Sequence, residues 1–211
     1  MPLTLYTAPY STATLTEAAL KALNLDYERI VLDIDAGDTR KPAFRALNPN
    51  GRVPVLIHDD AVLWESAAIV MHLGETFGHA RGLYPGPGIE RAHAMKWIVW
   101  GSATLAEAAG RLASSLPHDS PGAVQSGSVD FVAMTTDQGD NRVRALADLA
   151  FLLGILNQTL EEQEYLTGSY SLADTHVAGI VGWIASMNAP IDKYPSVVSW
   201  LARCEVALRH S

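Results

Sequence analysis

The chain has 211 residues, 48% of them hydrophobic, a formal net charge of −8 and a single cysteine, Cys204. That is enough chain for one large or two small domains around an ordinary core. The charge, with no Lys/Arg cluster to reverse it locally, argues against nucleic acid as a partner, and one cysteine excludes an intramolecular disulfide or a Cys-rich zinc site.

Leu3 to Thr7 alternates and predicts a strand, ended by Pro9. Ser11-Thr12-Ala13-Thr14 opens a helix, with Thr14 and Glu17 spaced as a capping box. Leu15, Ala18, Ala19, Ala22 and Leu23 form its apolar face, and Asn24 is its stop. Tyr27 to Ile34 is β-branched enough for a second strand, parallel to the first through a right-handed crossover. After a turn at Ala36-Gly37-Asp38, Lys41 to Leu47 predicts a short helix with Pro42 in its first turn. Val55-Leu56-Ile57 is a third strand, His58-Asp59-Asp60 a hairpin turn, and Ala61 to Trp64 a fourth strand. Glu65 then starts a helix through Phe77 that buries Ile69, Val70 and Leu73. The order is βαβ, a helix, then ββα.

Residues 78–88 are rich in glycine and proline and read as a linker between a first domain, 1–77, and a second, 89–211. The second domain shows no convincing strand. Helices are expected over Ile89 to about Ala113, Asn141 to about Gln163, Leu172 to about Met187, and Ser196 to about Leu208. Ser171 and Asp174 read as a capping pair. Residues 114–139 are polar and broken by prolines and glycines, a long loop of the kind that carries function. No basic-then-apolar leader and no apolar run of about 18 residues is seen, so the expectation is a cytoplasmic protein without a membrane partner. The seven histidines lack zinc-ligand spacing, so no metal is expected. His72 reads as structural, His93 as a helix-surface or domain-interface residue, and Cys204 as a small core residue.

Asn48-Pro49-Asn50-Gly51-Arg52-Val53-Pro54-Val55-Leu56 stands apart. Asn-Gly is a strong turn dipeptide, and Pro54 belongs at a strand's start, where a cis peptide is possible. Val53 before it must stay extended. Its N–H and C=O then lack a strand partner and can dock a peptide-like ligand as an added strand.

This segment resembles the cis-proline segment of the cytosolic glutathione transferases. Glu65-Ser66-Ala67-Ala68-Ile69 resembles that family's acidic-Ser helix start. Tyr165-Leu166-Thr167-Gly168, Ser171-Leu172-Ala173-Asp174 and Tyr194 to Trp200 resemble its C-terminal signature. The likeness spans nearly the whole chain and is to theta-like or related bacterial members. It implies a thioredoxin-like N-terminal domain with a mixed four-stranded sheet, an all-α C-terminal domain contributing an electrophile pocket, and a homodimer. It also implies glutathione (γ-Glu-Cys-Gly) as co-substrate and a hydrophobic electrophile as second substrate. In that family's manner, Val53 beside Pro54 would pair with the cysteinyl unit. Ser66 and the helix N-terminus would hold the γ-Glu carboxylate, Glu65 the ammonium, and Arg52 the glycyl carboxylate. Thr39 is at a position of polar contact to the same end, but is short for it. Trp97 and Trp100 are candidates for lining the pocket, with core packing expected for at least one, and residues 114–139 for a lid.

The chemistry requires a thiolate, because a thiol is a poor nucleophile. Lowering a thiol pKa from about 8.5 by about two units takes about 2.7 kcal/mol of preferential stabilisation, which a hydroxyl donor and a helix N-terminus together can supply. Ser11 is the first candidate donor, since it joins a hydroxyl to a helix start. Tyr6 at the end of the first strand is the second, and Thr12 the third. The resemblance implies conjugation of glutathione thiolate to an electrophilic carbon. Two alternatives are a specialised glutathione-dependent dehalogenase, β-etherase or isomerase on the same scaffold, and a non-catalytic glutathione- or partner-binding protein.

Overall fold

Leu3, Leu5 and Thr7 are buried while Thr4 and Tyr6 face the other way, and this alternation forms strand β1 (Leu3–Thr7) in the computed structural model. The structure describes residues 2–117, 120, 122 and 138–210. Helix α1 (Ala13–Ala22) follows, then β2 (Glu28–Val31), α2 (Pro42–Leu47), β3 (Val55–His58), β4 (Ala61–Trp64) and α3 (Ser66–Leu73). The sheet order is β2-β1-β3-β4. β1 and β2 are parallel, and the β1–β3 and β3–β4 pairs are antiparallel. This is the expected thioredoxin-like βαβ–ββα arrangement with a mixed four-stranded sheet.

Three local details differ from the sequence reading. Thr14 and Glu17 do not cap α1: Thr14 Oγ1 donates to Ser11 O at 3.0 Å, and Glu17 accepts from Arg29 Nε on β2 at 2.9 Å. Strand β2 stops at Val31 because Asp33 turns the chain, its Oδ1 accepting from Ala36 N–H at 2.9 Å while its own N–H donates to Asp38 Oδ2 at 2.8 Å. Helix α3 passes after Leu73 into a π-helical turn, Gly74–Gly78, where the Tyr84 ring lies against Gly74 so closely that a Cβ would come within 2.6 Å of it.

The described remainder is helical: α4 (Ile89–Trp100), α5 (Ala106–Ser114), α6 (Gln138–Glu162), α7 (Leu172–Ser186) and α8 (Pro195–Arg209). The one long helix expected over 89–113 is two, joined by a π-helical turn at Gly101–Leu105. There Gly101 approaches α7, with space for a Cβ only 3.2 Å from Val177 and Ile180, and Ser102 Oγ pairs with His176 Nε2 at 2.8 Å. Helix α7 is the hub, with Leu172, Ala173, Val177, Val181 and Ile184 sealed from solvent. It also packs on α1, where Leu15 fills the space above Gly179.

Ser171 and Asp174 form the expected capping box. Asp174 is fully buried and accepts four hydrogen bonds: Leu166 N–H at 2.8 Å, Trp200 Nε1–H at 2.9 Å, Ser171 N–H at 3.0 Å and the Ser171 hydroxyl at 2.9 Å. It thus ties α7 to α8 and to the turn before α7. Residues Asn141–Glu162 of α6 are long and apolar enough to cross a bilayer by length and composition, an exception to the expectation that no such stretch occurs. Here α6 packs on α5 and α8 with Ala145, Leu149, Leu152, Leu153, Leu156 and Leu160 buried, the pattern of a core-facing helix.

Two histidines, half-buried His72 and buried His176, make the fold sensitive to acid. His58 Nδ1 and His72 Nε2 lie 2.8 Å apart and tie β3 to α3, as expected of a structural His72. Burial, and secondarily His58, pushes the His72 pKa down, and burial pushes His176 down to about 4. A histidine with a depressed folded pKa contributes stability above its unfolded value of about 6.5, and that contribution is lost as pH falls. The unfolding free energy from urea titration is therefore expected to drop between pH 7 and pH 5, by about 2 kcal/mol from His176 alone. A flat profile across that window would contradict this assignment.

Candidate active site

Strand register builds the site. Tyr6 on β1 faces Val55 on β3, and Val55 faces Trp64 on β4, so the three lie in one row across the sheet. Just beyond that row the chain continues into three segments at the same edge: the β1–α1 loop, Val53-Pro54 before β3, and Glu65-Ser66 after β4. With strands about 4.8 Å apart, the row from β1 to β4 spans about 10 Å, the length of about three extended residues.

The Val53–Pro54 peptide is cis. The turn before it is organised by Asn48, which is buried. Its Nδ2 donates to Arg52 O at 2.7 Å, its Oδ1 accepts from Asn50 N–H at 3.0 Å, and its carbonyl accepts from Gly51 N–H at 2.9 Å. Gly51 has φ 63, and a Cβ there would lie 3.0 Å from Thr39 O. Both facts call for glycine. The Thr39 side chain expected at this end belongs to a buried residue. Val53 O accepts a long 3.5 Å hydrogen bond from Thr12 Oγ1, while the Val53 N–H has no acceptor among the described residues. Arg52 is exposed, and its guanidinium has no partner there either.

Glu65 holds φ 70 and ψ 114, an unfavourable backbone for a residue with a side chain. It is exposed, with no partner for its carboxylate among the described residues. The first hydrogen bond of α3 runs from Ile69 N–H to Glu65 O at 3.0 Å. The N–H groups of Ser66, Ala67 and Ala68 therefore have no helical acceptor and point out of a positive dipole end. Ser66 is buried, yet its hydroxyl has no partner among the described residues. Strained Glu65, free N–H groups and an unpaired hydroxyl at one helix start are an arrangement that can receive an anion, with a carboxylate beside it.

The three candidate hydroxyl donors differ in how occupied they are. Ser11 Oγ donates to Ala8 O at 2.6 Å and accepts from Ala13 N–H at 3.3 Å. It holds the first N–H of α1, but its proton is already engaged. Thr12 is exposed and holds only the long contact to Val53 O. Tyr6 is half-buried, with its ring 5.8 Å from that of Phe44 on α2, and its hydroxyl has no partner among the described residues. Cys204 is buried on α8, and burial pushes its thiol pKa up, so it is no thiolate source.

Of the second-domain candidates, Trp97 is buried and meets the half-buried Trp100 edge-on at 5.2 Å. His93 is exposed on α4. The expected lid over 114–139 lies for the most part outside the described residues. Two features escaped sequence reading. The role of Asn48 was signalled only by its place before the Asn-Gly turn. Tyr10, 88% exposed with φ 55 in the β1–α1 loop, gave no signal.

Comparison with known proteins converges on one family. Residues 1–75 match the model described as glutathione S-transferase, N-terminal domain, and residues 129–206 match that of the C-terminal domain. The chain is 28% identical over 202 residues to glutathione S-transferase D7 of Drosophila melanogaster, covering 94% of this chain and 82% of that protein. It is 42% identical over 91 residues to glutathione S-transferase GstB of Escherichia coli, covering 42% of this chain and 43% of that one. Among solved structures, a Nilaparvata lugens delta-class glutathione transferase superposes with a TM-score of 0.81 at 25% identity, covering 98% and 90% of the two chains. A glutathione transferase homologue from Lodderomyces elongisporus, with two glutathione molecules per subunit, has a TM-score of 0.80 at 21% identity over 99% and 98%.

Proposed function

Because the chain belongs to the glutathione S-transferase family, we propose that it binds glutathione across the β1–β3–β4 row and transfers its thiolate to an electrophilic carbon of a mostly apolar small molecule. The observation that carries this reading is the register. It brings the free Val53 N–H one strand from the open start of α3, within a row as long as an extended tripeptide. Val53 pairs with the cysteinyl backbone. Ser66 and the α3 N–H groups take the γ-Glu carboxylate, and Glu65 takes the γ-Glu ammonium. Arg52, exposed and unpaired, takes the glycyl carboxylate. No step calls for a metal.

Ser11 remains the first choice of thiolate donor. To act, its hydroxyl turns from Ala8 O to the sulfur, exchanging a neutral hydrogen bond for a charge-assisted one, while the Ala13 N–H it accepts keeps it at the start of α1. Tyr6, with an unengaged hydroxyl, is second, and Thr12 third. Titrating the thiolate absorbance of bound glutathione tests the order. In Ser11→Ala the apparent pKa is expected to rise by about one to two units, with smaller shifts in Tyr6→Phe and Thr12→Ala. An unchanged value in Ser11→Ala removes Ser11. Retained glutathione binding with no conjugation across an electrophile panel would move the chain to the non-catalytic class, and a halide, ether-cleavage or isomerised product to the specialised one.

The protein acts as a homodimer in the cytoplasm on this reading. Apolar side chains stand exposed on the edge strand β4, at Val62 and Trp64, and on α4, at Met95 and Val99, and a thiol co-substrate with a lone cysteine suits a reducing compartment. Sedimentation is expected to give a dimer at micromolar concentration that Trp64→Glu dissociates; a monomeric wild type would reject the dimer. Residues 1–77 and 89–211 are proposed as the glutathione-binding and electrophile-binding domains.

A further inference from the structure

A cavity of about 630 Å³ runs along the solvent side of α1, bounded by the turn after that helix and by Tyr27 just before β2. Its size is that of a small-molecule site, and none of its lining residues belongs to the β1–β3–β4 row. Glu17 and Lys21 line it from α1, four residues apart, the spacing at which Glu and Lys ordinarily pair. Here Arg29 Nε takes the Glu17 carboxylate at 2.9 Å. Lys21 is left exposed, with no carboxylate partner among the described residues. The Asn24 side-chain amide and the Tyr27 hydroxyl line the same cavity and have no hydrogen-bond partner there either. Burial, and secondarily the Glu17 carboxylate, push the Tyr27 pKa up, so that its hydroxyl keeps its proton and donates. The Thr14 hydroxyl is already given to Ser11 O at 3.0 Å. Three unengaged donors therefore converge where the one carboxylate is already paired. The half-buried Ala18 and Leu25 complete the lining with apolar surface.

We propose that this cavity is a ligand site separate from the glutathione row, and that it takes a small organic carboxylate with an apolar body. The carboxylate accepts from Lys21 Nζ, with the Asn24 amide and the Tyr27 hydroxyl as further donors, and the body covers Ala18, Leu25 and the Tyr27 ring. An ionised carboxylate only accepts, through two oxygens with room for several donors, and so matches a site that offers donors alone. A neutral ligand leaves the Lys21 ammonium without its counter-charge. An inorganic anion leaves the apolar lining uncovered. Because Lys21 stays hydrated in the empty cavity, the ion pair adds a modest increment, and the apolar body supplies the rest of the affinity.

The test titrates the full chain with benzoate, benzyl alcohol and inorganic phosphate, followed by NMR of the ligand signals. Benzoate is expected to saturate one site per chain, more tightly than either of the others, and to remain bound when S-benzylglutathione is added to fill the proposed glutathione and electrophile sites. Lys21→Gln weakens benzoate about threefold to tenfold, Lys21→Arg restores most of the affinity, and Tyr27→Phe costs about threefold. Lys21 is exposed, so its variants melt with wild type, which keeps loss of the site apart from loss of the fold. Benzoate affinity unchanged in Lys21→Gln, displacement of benzoate by S-benzylglutathione, or benzyl alcohol bound as tightly as benzoate overturns the proposal. Phosphate bound as tightly as benzoate overturns the organic carboxylate as its ligand. No saturable benzoate binding up to about 20 mM overturns the site altogether.

Discussion

Asp174→Ala is expected to lower the unfolding free energy by about 3–5 kcal/mol, the largest loss from any single side chain considered. The fully buried carboxylate is the shared acceptor for Leu166 N–H, Ser171 N–H, the Ser171 hydroxyl and Trp200 Nε1–H. Alanine leaves those donors buried with nothing to accept them. The Trp200 indole, sealed in the core of α8, cannot turn to water. Burial pushes the Asp174 pKa above the usual carboxylate range, although the hydrogen bonds pull the other way. The charge is thus held at a desolvation cost. The effect of alanine comes from stranded donors rather than from lost charge. Asp174→Asn, which keeps one carbonyl acceptor, is accordingly expected to lose less. Urea unfolding measures both; a loss below about 1 kcal/mol in the alanine variant would contradict the network's role.

Glu65→Ala and Ser66→Ala are each expected to weaken glutathione binding about tenfold to a hundredfold, since on the proposed reading each removes a hydrogen-bonding partner of a charged group. For Ser66 the hydroxyl has no other use, being unpaired among the described residues at the open start of α3. For Glu65 the argument is sharper, because the residue holds φ 70. If Glu65 were only the first residue of a helix, a strained backbone under an exposed, unpaired carboxylate would serve nothing. Glu65→Gly separates the two roles. It relieves the strain, so stability is expected to hold or rise, while glutathione affinity falls as in Glu65→Ala. Calorimetry alongside thermal unfolding reads both. Affinity within about twofold of wild type in Glu65→Gly would show that the carboxylate is not used.

The parts of the fold that local chemistry dictates were readable from the sequence. Alternation marks β1, the Asn-Gly turn and Pro54 mark the start of β3, and the Ser171/Asp174 spacing marks the start of α7, because each depends on neighbours along the chain. What escaped depends on residues far away. The π-helical turns at Gly74 and Gly101 lie where Tyr84 and α7 pack against those glycines, and nothing nearby in sequence announces either. Thr14 and Glu17 have capping-box spacing, but Arg29 on β2 claims the Glu17 carboxylate. Of the candidate site, Val53, Glu65 and Ser66 were legible as a pattern, while the engagement of the Ser11 proton by Ala8 O and the exposure of Tyr10 needed coordinates. The sequence does show Asn48, but not that its side chain shapes the turn that carries Arg52 and Val53.

The central claim is that the row from Val53 to Ser66 recognises glutathione as a tripeptide, with its γ-Glu end at the start of α3. Parallel calorimetric titrations of the wild-type protein with glutathione and with cysteinylglycine, which lacks the γ-Glu unit, test it most directly. Saturable binding of glutathione at one site per chain of this row, with cysteinylglycine weaker by about a hundredfold or more, is the predicted result. Equal affinity for the two, or no heat from glutathione, would contradict it.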